Sequence, residues 1–198
     1  MNAPADLPPR ATFTSMDTCR KEDWDAITQH YVPFAAAMPD RVLAQMRQLG
    51  GDSGGFAVDR LQHSLQTAML AQEAGEDDEY VACALLHDIG DLLGAWNHAD
   101  VSAAILQPYV SEANHWMVAK HGIFQGHYFF HHVGLDPAMR EQFAGHPHYD
   151  RTVRFCALYD NPAFDPQRVT PPLEHFEPIV YRVLAQPKRS LYRTDLPA

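Results

Sequence analysis

An all-α helical bundle is predicted by three observations. Apolar residues recur at helical spacing along most of the 198 residues. Capping residues precede these segments, and Gly or Pro follows them. Alternation of period two is weak and confined to YFFHHV at 128–133.

The elements follow in order. Two N-terminal helices are expected at 21–31 and 38–50, the second stopped by Gly50 and Gly51, with GGDSGG as a flexible connector. A helix at 58–75 has Asp59 as its cap, an apolar stripe of Leu61, Leu65, Ala68 and Leu70 or Met69, and Gly75 as its stop. The segment 76–88 opens on acidic residues, which suit a helix N-terminus, then turns wholly apolar, so it must be central and buried. Further helices are expected at 97–110 (cap Asn97), 111–122 (cap Ser111, stop Gly122) and 136–145, with Pro137 at its first position. The segment 148–160 carries Val153, Phe155, Cys156 and Leu158 near one face, and 170–187 closes the fold with a bend at Pro178. The Pro-rich stretch 160–172 is the one long irregular segment, and loops of that length are often tied to function.

Composition bounds the partners. Hydrophobic residues make up 46% and charged residues 20%, which fits a globular protein of one domain. Residues 1–20 read as a flexible N-terminal segment and 21–198 as a single domain. The net charge of −10 argues against nucleic acid and anionic membranes as partners. No apolar signal core opens the chain, which predicts a cytoplasmic protein. Cys19, Cys83 and Cys156 are too sparse for a disulfide framework, and the last two read as small core residues.

Histidine is the anomaly, at 12 residues, many of them between His87 and His148. In ALLHDIG a histidine and an aspartate stand side by side where an apolar helix ends. Burying that aspartate costs several kcal/mol unless something pairs with it. His63 lies upstream; His98, His121 and Asp160 lie downstream, in the order H-x23-H-D-x9-H-x22-H-x38-D. Bundles build metal sites from such side chains on facing helices. Imidazoles and carboxylates together suit Fe, Mn, Zn or Ni rather than Mg or Ca. A carboxylate can bridge two ions and an imidazole cannot, which makes Asp88 the natural bridge. The alternative is a set of buried, hydrogen-bonded histidines that hold no metal. His146 and His148 could bind zinc, but read more simply as loop residues before a helix.

These residues resemble the H…HD…D pattern of the HD-domain superfamily, an all-α metal-binding fold. The matching stretches are RLQHSLQTA, ALLHDIGDLL, NHADVSAAIL and PLEHFEPIVYRVL, within roughly 58–187. With His98 and His121, the set is similar to that of the mixed-valent diiron oxygenases, the group of myo-inositol oxygenase and the hydroxyphosphonate-cleaving enzymes. The resemblance implies a first metal on His63, His87, Asp88 and Asp160, and a second on His98 and His121 with Asp88 shared. It implies an Fe(II)/Fe(III) pair, or Mn, Zn or Ni, and oxidation of a small hydroxylated or polar metabolite by O2. The runner-up is a metal-dependent phosphohydrolase acting on a small phosphate ester or nucleotide, and a third reading is a ligand-sensing domain without catalysis. Phosphohydrolases often supply Lys or Arg to the phosphate. Basic residues near the ligands in sequence are few, Lys120, Arg151 and Arg154 among them, which favours the oxygenase.

Three positions depart from the phosphonate-cleaving pattern. Gln125 stands where those enzymes have a phosphonate-holding lysine. Gly54, Gly55 and Phe56 occupy the stretch that there carries a Tyr and a Glu guarding the open iron. Asp91 replaces a histidine three residues after the HD pair, and reads equally as an acceptor that orients a ligand imidazole or as a helix-end charge. Gln125, Tyr128, His132 and Lys120 are the candidate substrate contacts, with Phe124, Phe129 and Phe130 as apolar walls. Trp96 and Trp116 read as core residues.

Overall fold

The structure is a computed structural model that describes residues 8–185, 187–190 and 192. Among these residues it is helical, with α1 (Lys21–Ala36), α2 (Met38–Gln48), α3 (Arg60–Glu73), α4 (Asp78–Leu86), α5 (His98–Leu106), α6 (Glu112–Phe129), α7 (Tyr149–Phe155) and α8 (Leu173–Leu184). Short 3-10 turns lie at Met16–Thr18, Phe130–Val133 and Met139–Phe143. No helix among the described residues is long and apolar enough to cross a membrane.

α4 is the axle of the bundle. Asp77 caps it by accepting the Tyr80 N–H, and every residue from Tyr80 to Leu86 is buried. α3 and α8 pack along it, α6 crosses it more lightly, and α5 and α7 flank α6. Met46, Leu49, Leu106, Met117, Phe155 and Phe176 fill the space between. Cys83 and Cys156 are buried in this core. Asp59 caps α3 through the Gln62 N–H at 2.7 Å, and Ser111 caps α6 through the Asn114 N–H at 3.3 Å.

Several elements differ from the sequence reading. Gly122 does not stop α6, which runs seven residues further to Phe129. A mid-helix glycine costs about 1 kcal/mol, and burial of Phe124 beyond it offsets that cost. The weak alternation in YFFHHV gives no strand, in keeping with the all-α reading: α6 continues through its first part and a 3-10 turn takes the rest. The expected helix at 136–145 is reduced to the turn at Met139–Phe143, with Pro137 outside it. Asn97 holds the N-cap position of α5 but its side chain makes no capping bond. Pro178 lies inside α8 without ending it.

After α7 the helix widens into a π turn, Cys156–Asp160, closed by the Asn161 N–H on the Cys156 carbonyl at 2.8 Å. The extra residue shifts the phase of the face. Leu158, expected beside Phe155, is therefore 51% exposed, while Tyr159 and Asp160 turn inward. Trp116 packs against the core, but Trp96 is fully exposed in the tight turns between α4 and α5. Of the segment expected to be flexible, residues 1–7 lie outside the described residues. The described part is pinned to α1 by the Thr12 N–H on Asp23 at 2.8 Å. The last residues of the expected domain, 193–198, also lie outside the described residues.

Candidate metal centre

Six side chains from five segments converge beside α4. His63 lies one turn into α3, and His87 is the C-cap residue of α4, with Asp88 next in the following turn. His98 opens α5, His121 sits midway along α6, and Asp160 ends the π turn. His63, His87 and Asp160 form one compact group, and His87, Asp88 and His121 another. His98 closes a third, its Nε2 being 3.3 Å from both His121 Nε2 and Asp88 Oδ1.

The imidazoles are turned so that their lone pairs meet. His63 Nδ1 is 3.0 Å from the Ala163 carbonyl, His87 Nδ1 2.8 Å from Ala84 O, and His121 Nδ1 2.7 Å from Val118 O. A carbonyl can only accept, so each Nδ1 carries the hydrogen, and each Nε2 presents a lone pair when its ring is neutral and a second hydrogen when it is charged. Yet His63 Nε2 and His87 Nε2 stand 3.1 Å apart. Two acceptors at that distance repel unless positive charge lies between them. Asp160 Oδ1 faces the same space 3.2 Å from His63 Nε2, and Asp160 Oδ2 is buried without a hydrogen-bond partner among the described residues. The donor set fits a cation of the Fe, Mn, Zn or Ni type.

Electrostatics point the same way. Burial opposes charge on His87, but the Asp88 and Asp160 carboxylates overcome it and push the imidazole pKa up to about 9. Burial alone would raise Asp88 and Asp160. The facing imidazoles instead hold both well below the usual carboxylate range. The pocket attracts positive charge, and a cation competes with a proton for it.

Asp88 divides its two oxygens. Oδ2 lies 3.6 Å from His63 Nε2 and 3.4 Å from His87 Nε2, while Oδ1 lies 3.3 Å from His98 Nε2 and 3.1 Å from His121 Nε2. One carboxylate thus faces two imidazole pairs.

The other predicted residues are dispersed. Asp91 Oδ1 lies 3.5 Å from His98 Nδ1. Gln125 donates from Nε2 to Asp160 Oδ1 at 3.2 Å, while its Oε1 is buried without a hydrogen-bond partner among the described residues. Burial raises the pKa of the half-buried Tyr128 hydroxyl, against the pull of neighbouring Arg140. Lys120 is not brought to the carboxylates; its ammonium lies over the Phe143 ring, 5.7 Å from the centroid. His132 is exposed in the 3-10 turn after α6. Among the walls, Phe124 is buried in the core and Phe129 is 44% exposed. His146 stacks on Trp116 at 4.2 Å, and neither it nor His148 joins a compact ligand group among the described residues.

Sequence reasoning missed three participants. Phe164 stacks on the His63 ring at 4.2 Å and is itself stacked by Phe56 at 5.3 Å. It comes from the irregular 160–172 segment, whose length was the only hint. Arg60, one turn before His63, grips Asp91, a spacing that could have marked it, while Arg140 lies beside Tyr128 with no such signal. Of the basic residues nearest in sequence, Arg151 bonds Asn114 and Arg154 pairs with Glu76.

No curated protein matches the chain in a sequence search. A family model, the HD domain, matches residues 60–149, which span all the candidate ligands except Asp160. Together with the helical fold and the buried histidine–aspartate cluster around Asp88, this match supports membership of the HD-domain superfamily.

Proposed function

We propose that the chain is a dinuclear non-haem iron oxygenase that uses O2 on a small hydroxylated or polar metabolite. The observation that supports this most is the division of Asp88 between two imidazole pairs, four histidines in all. His63, His87, Asp160 and Asp88 Oδ2 would hold the first iron, and His98, His121 and Asp88 Oδ1 the second. Bound iron supplies the change of oxidation state that O2 activation needs and a point of attachment for a substrate hydroxyl.

The surrounding residues prepare that chemistry. The carbonyls of Ala84, Val118 and Ala163 lock three ring orientations, so the donors are positioned before a cation arrives. The Phe164 ring, backed by Phe56, covers one face of His63 and keeps water from it. Gln125 Oε1 is an unsatisfied acceptor beside Asp160, suited to a hydroxyl or amine proton of the substrate. Gly122 leaves room above His98, where an added Cβ would stand 3.9 Å from its Nε2.

A metal-dependent phosphohydrolase is the second reading. HD domains include such hydrolases, and the guanidinium of Arg140 beside Tyr128 offers a positive charge for a phosphate. One experiment separates the two. The chain is purified with iron, its metal per chain is measured, and EPR is recorded after partial reduction alongside O2 uptake. Two irons with a mixed-valent signal are expected. Turnover of phosphate esters with zinc, manganese or nickel and no O2 uptake would overturn the oxygenase reading.

A further inference from the structure

The two halves of the centre are held by different means. His63, His87 and His121 each fix their ring through a hydrogen bond to a main-chain carbonyl. His98 has no such bond among the described residues: its Nδ1 faces the Asp91 carboxylate at 3.5 Å, and its side chain is 29% exposed. The orientation of this ligand therefore depends on where Asp91 is held.

Arg60 holds it. The Arg60 guanidinium donates through Nε to Asp91 Oδ2, opposite the oxygen that faces His98. Through Nη1 it donates to the Asp52 carbonyl at 3.2 Å and pairs with the Asp52 carboxylate at 3.2 Å. The glycine-rich connector wraps this group closely: a Cβ on Gly54, whose φ is +55, would lie 2.7 Å from Nη2. The guanidinium is thus seated between the connector and Asp91, with its fork satisfied on both sides. Asp91 and Arg60 are only 18% and 24% exposed, so water screens the pair weakly.

We infer that Arg60 is a positioning residue for the second metal position, acting through Asp91 on the His98 ring and thereby setting how tightly that position is filled. The inference rests on the dinuclear reading above. Arginine suits the task where lysine does not, because two acceptors in different directions must be met by one rigid group. None of these contacts is made to His63, His87, Asp88 or Asp160.

The test uses the full chain, stripped of metal and titrated anaerobically with Fe2+, with iron counted per chain and the two affinities resolved. Wild type is expected to take two ions. Arg60→Gln should weaken the second by ~10–100-fold, the usual effect of removing a ligand's support, and leave the first unchanged. Arg60→Lys keeps the charge but not the fork, so it should weaken the second ion less. Circular dichroism checks that each variant is folded; if Arg60→Gln is not, Arg60→Lys carries the comparison. Folded variants that bind both ions as wild type does would overturn the role of Arg60 and leave the dinuclear reading standing. Equal loss of both ions would also overturn it, by showing a general structural effect. A wild-type chain that takes one ion overturns the dinuclear reading and this inference together.

Discussion

At the scale of the residue, Asp88 concentrates the chemistry. Its charge sits beside a buried helix end where each oxygen faces a pair of imidazole nitrogens, so that protons or a cation on that side offset it. Asp88→Ala is expected to lose both metals and His98→Ala mainly the second, as metal per chain by elemental analysis would show. Full occupancy in His98→Ala would refute its place among the ligands. A second carboxylate makes a prediction about pH. Burial would raise Glu79, but hydrogen bonds from Lys188, Ser111 and Asn114 lower its pKa to about 2 from 4.5. A lowered folded pKa means that the stabilisation is complete above pH 4.5 and is lost as pH falls toward 2. The pair is partly exposed, so the contribution is on the order of 1–2 kcal/mol. Urea denaturation of Glu79→Gln across pH 2–5 should show a flatter pH dependence than wild type.

At the scale of the element, the passage from α4 to α5 decides whether His98 reaches the centre. Gly90 lies against α5 so closely that a Cβ there would come within 2.5 Å of the His98 carbonyl and 2.8 Å of Val101 Cβ. Its own N–H is satisfied by the Ser102 hydroxyl at 3.0 Å. Only glycine fits, and Gly90→Ala must push α5 away, at a cost of about 1–3 kcal/mol for overpacking. Its denaturation midpoint should fall and its second metal should bind more weakly. Leu86, fully buried in the last turn of α4, tests the packing separately. Leu86→Ala is expected to cost about 2–5 kcal/mol, measured by urea unfolding of the metal-free chain. The π turn after α7 plays the matching part for Asp160. Without the extra residue, the same segment would carry that carboxylate to another face.

At the scale of the whole molecule, the centre draws on α3, α4, α5, α6 and the π turn, so a cation held there would be thermodynamically linked to the fold. A ligand at 100 times its dissociation constant adds about 2.7 kcal/mol to folding stability. For a chain of this size that amounts to roughly 5–10 °C in Tm. Chelation should lower Tm by that much, and iron should restore it, as differential scanning calorimetry would reveal. An unchanged Tm would mean that the cluster is held by its own hydrogen bonds alone.

Much of this was legible in the residues themselves. The helical class, the buried α4 and the caps Asp59 and Ser111 follow from local spacing and from side chains that satisfy free N–H groups at helix starts. Six polar residues, at positions that had to be internal, pointed to one centre because buried charge needs a partner. Local rules failed where packing overrode them. They failed at Gly122, which α6 passes through, at Leu158, displaced by the π turn, and at Trp96, which lies outside the core. Tertiary structure alone decided which oxygen of Asp88 faces which imidazoles, and that Arg60, Phe164 and Gln125 lie against Asp91, His63 and Asp160 while Lys120 turns away. Spacing along the chain sets which residues share a helix face, but the direction of a lone pair depends on distances between helices.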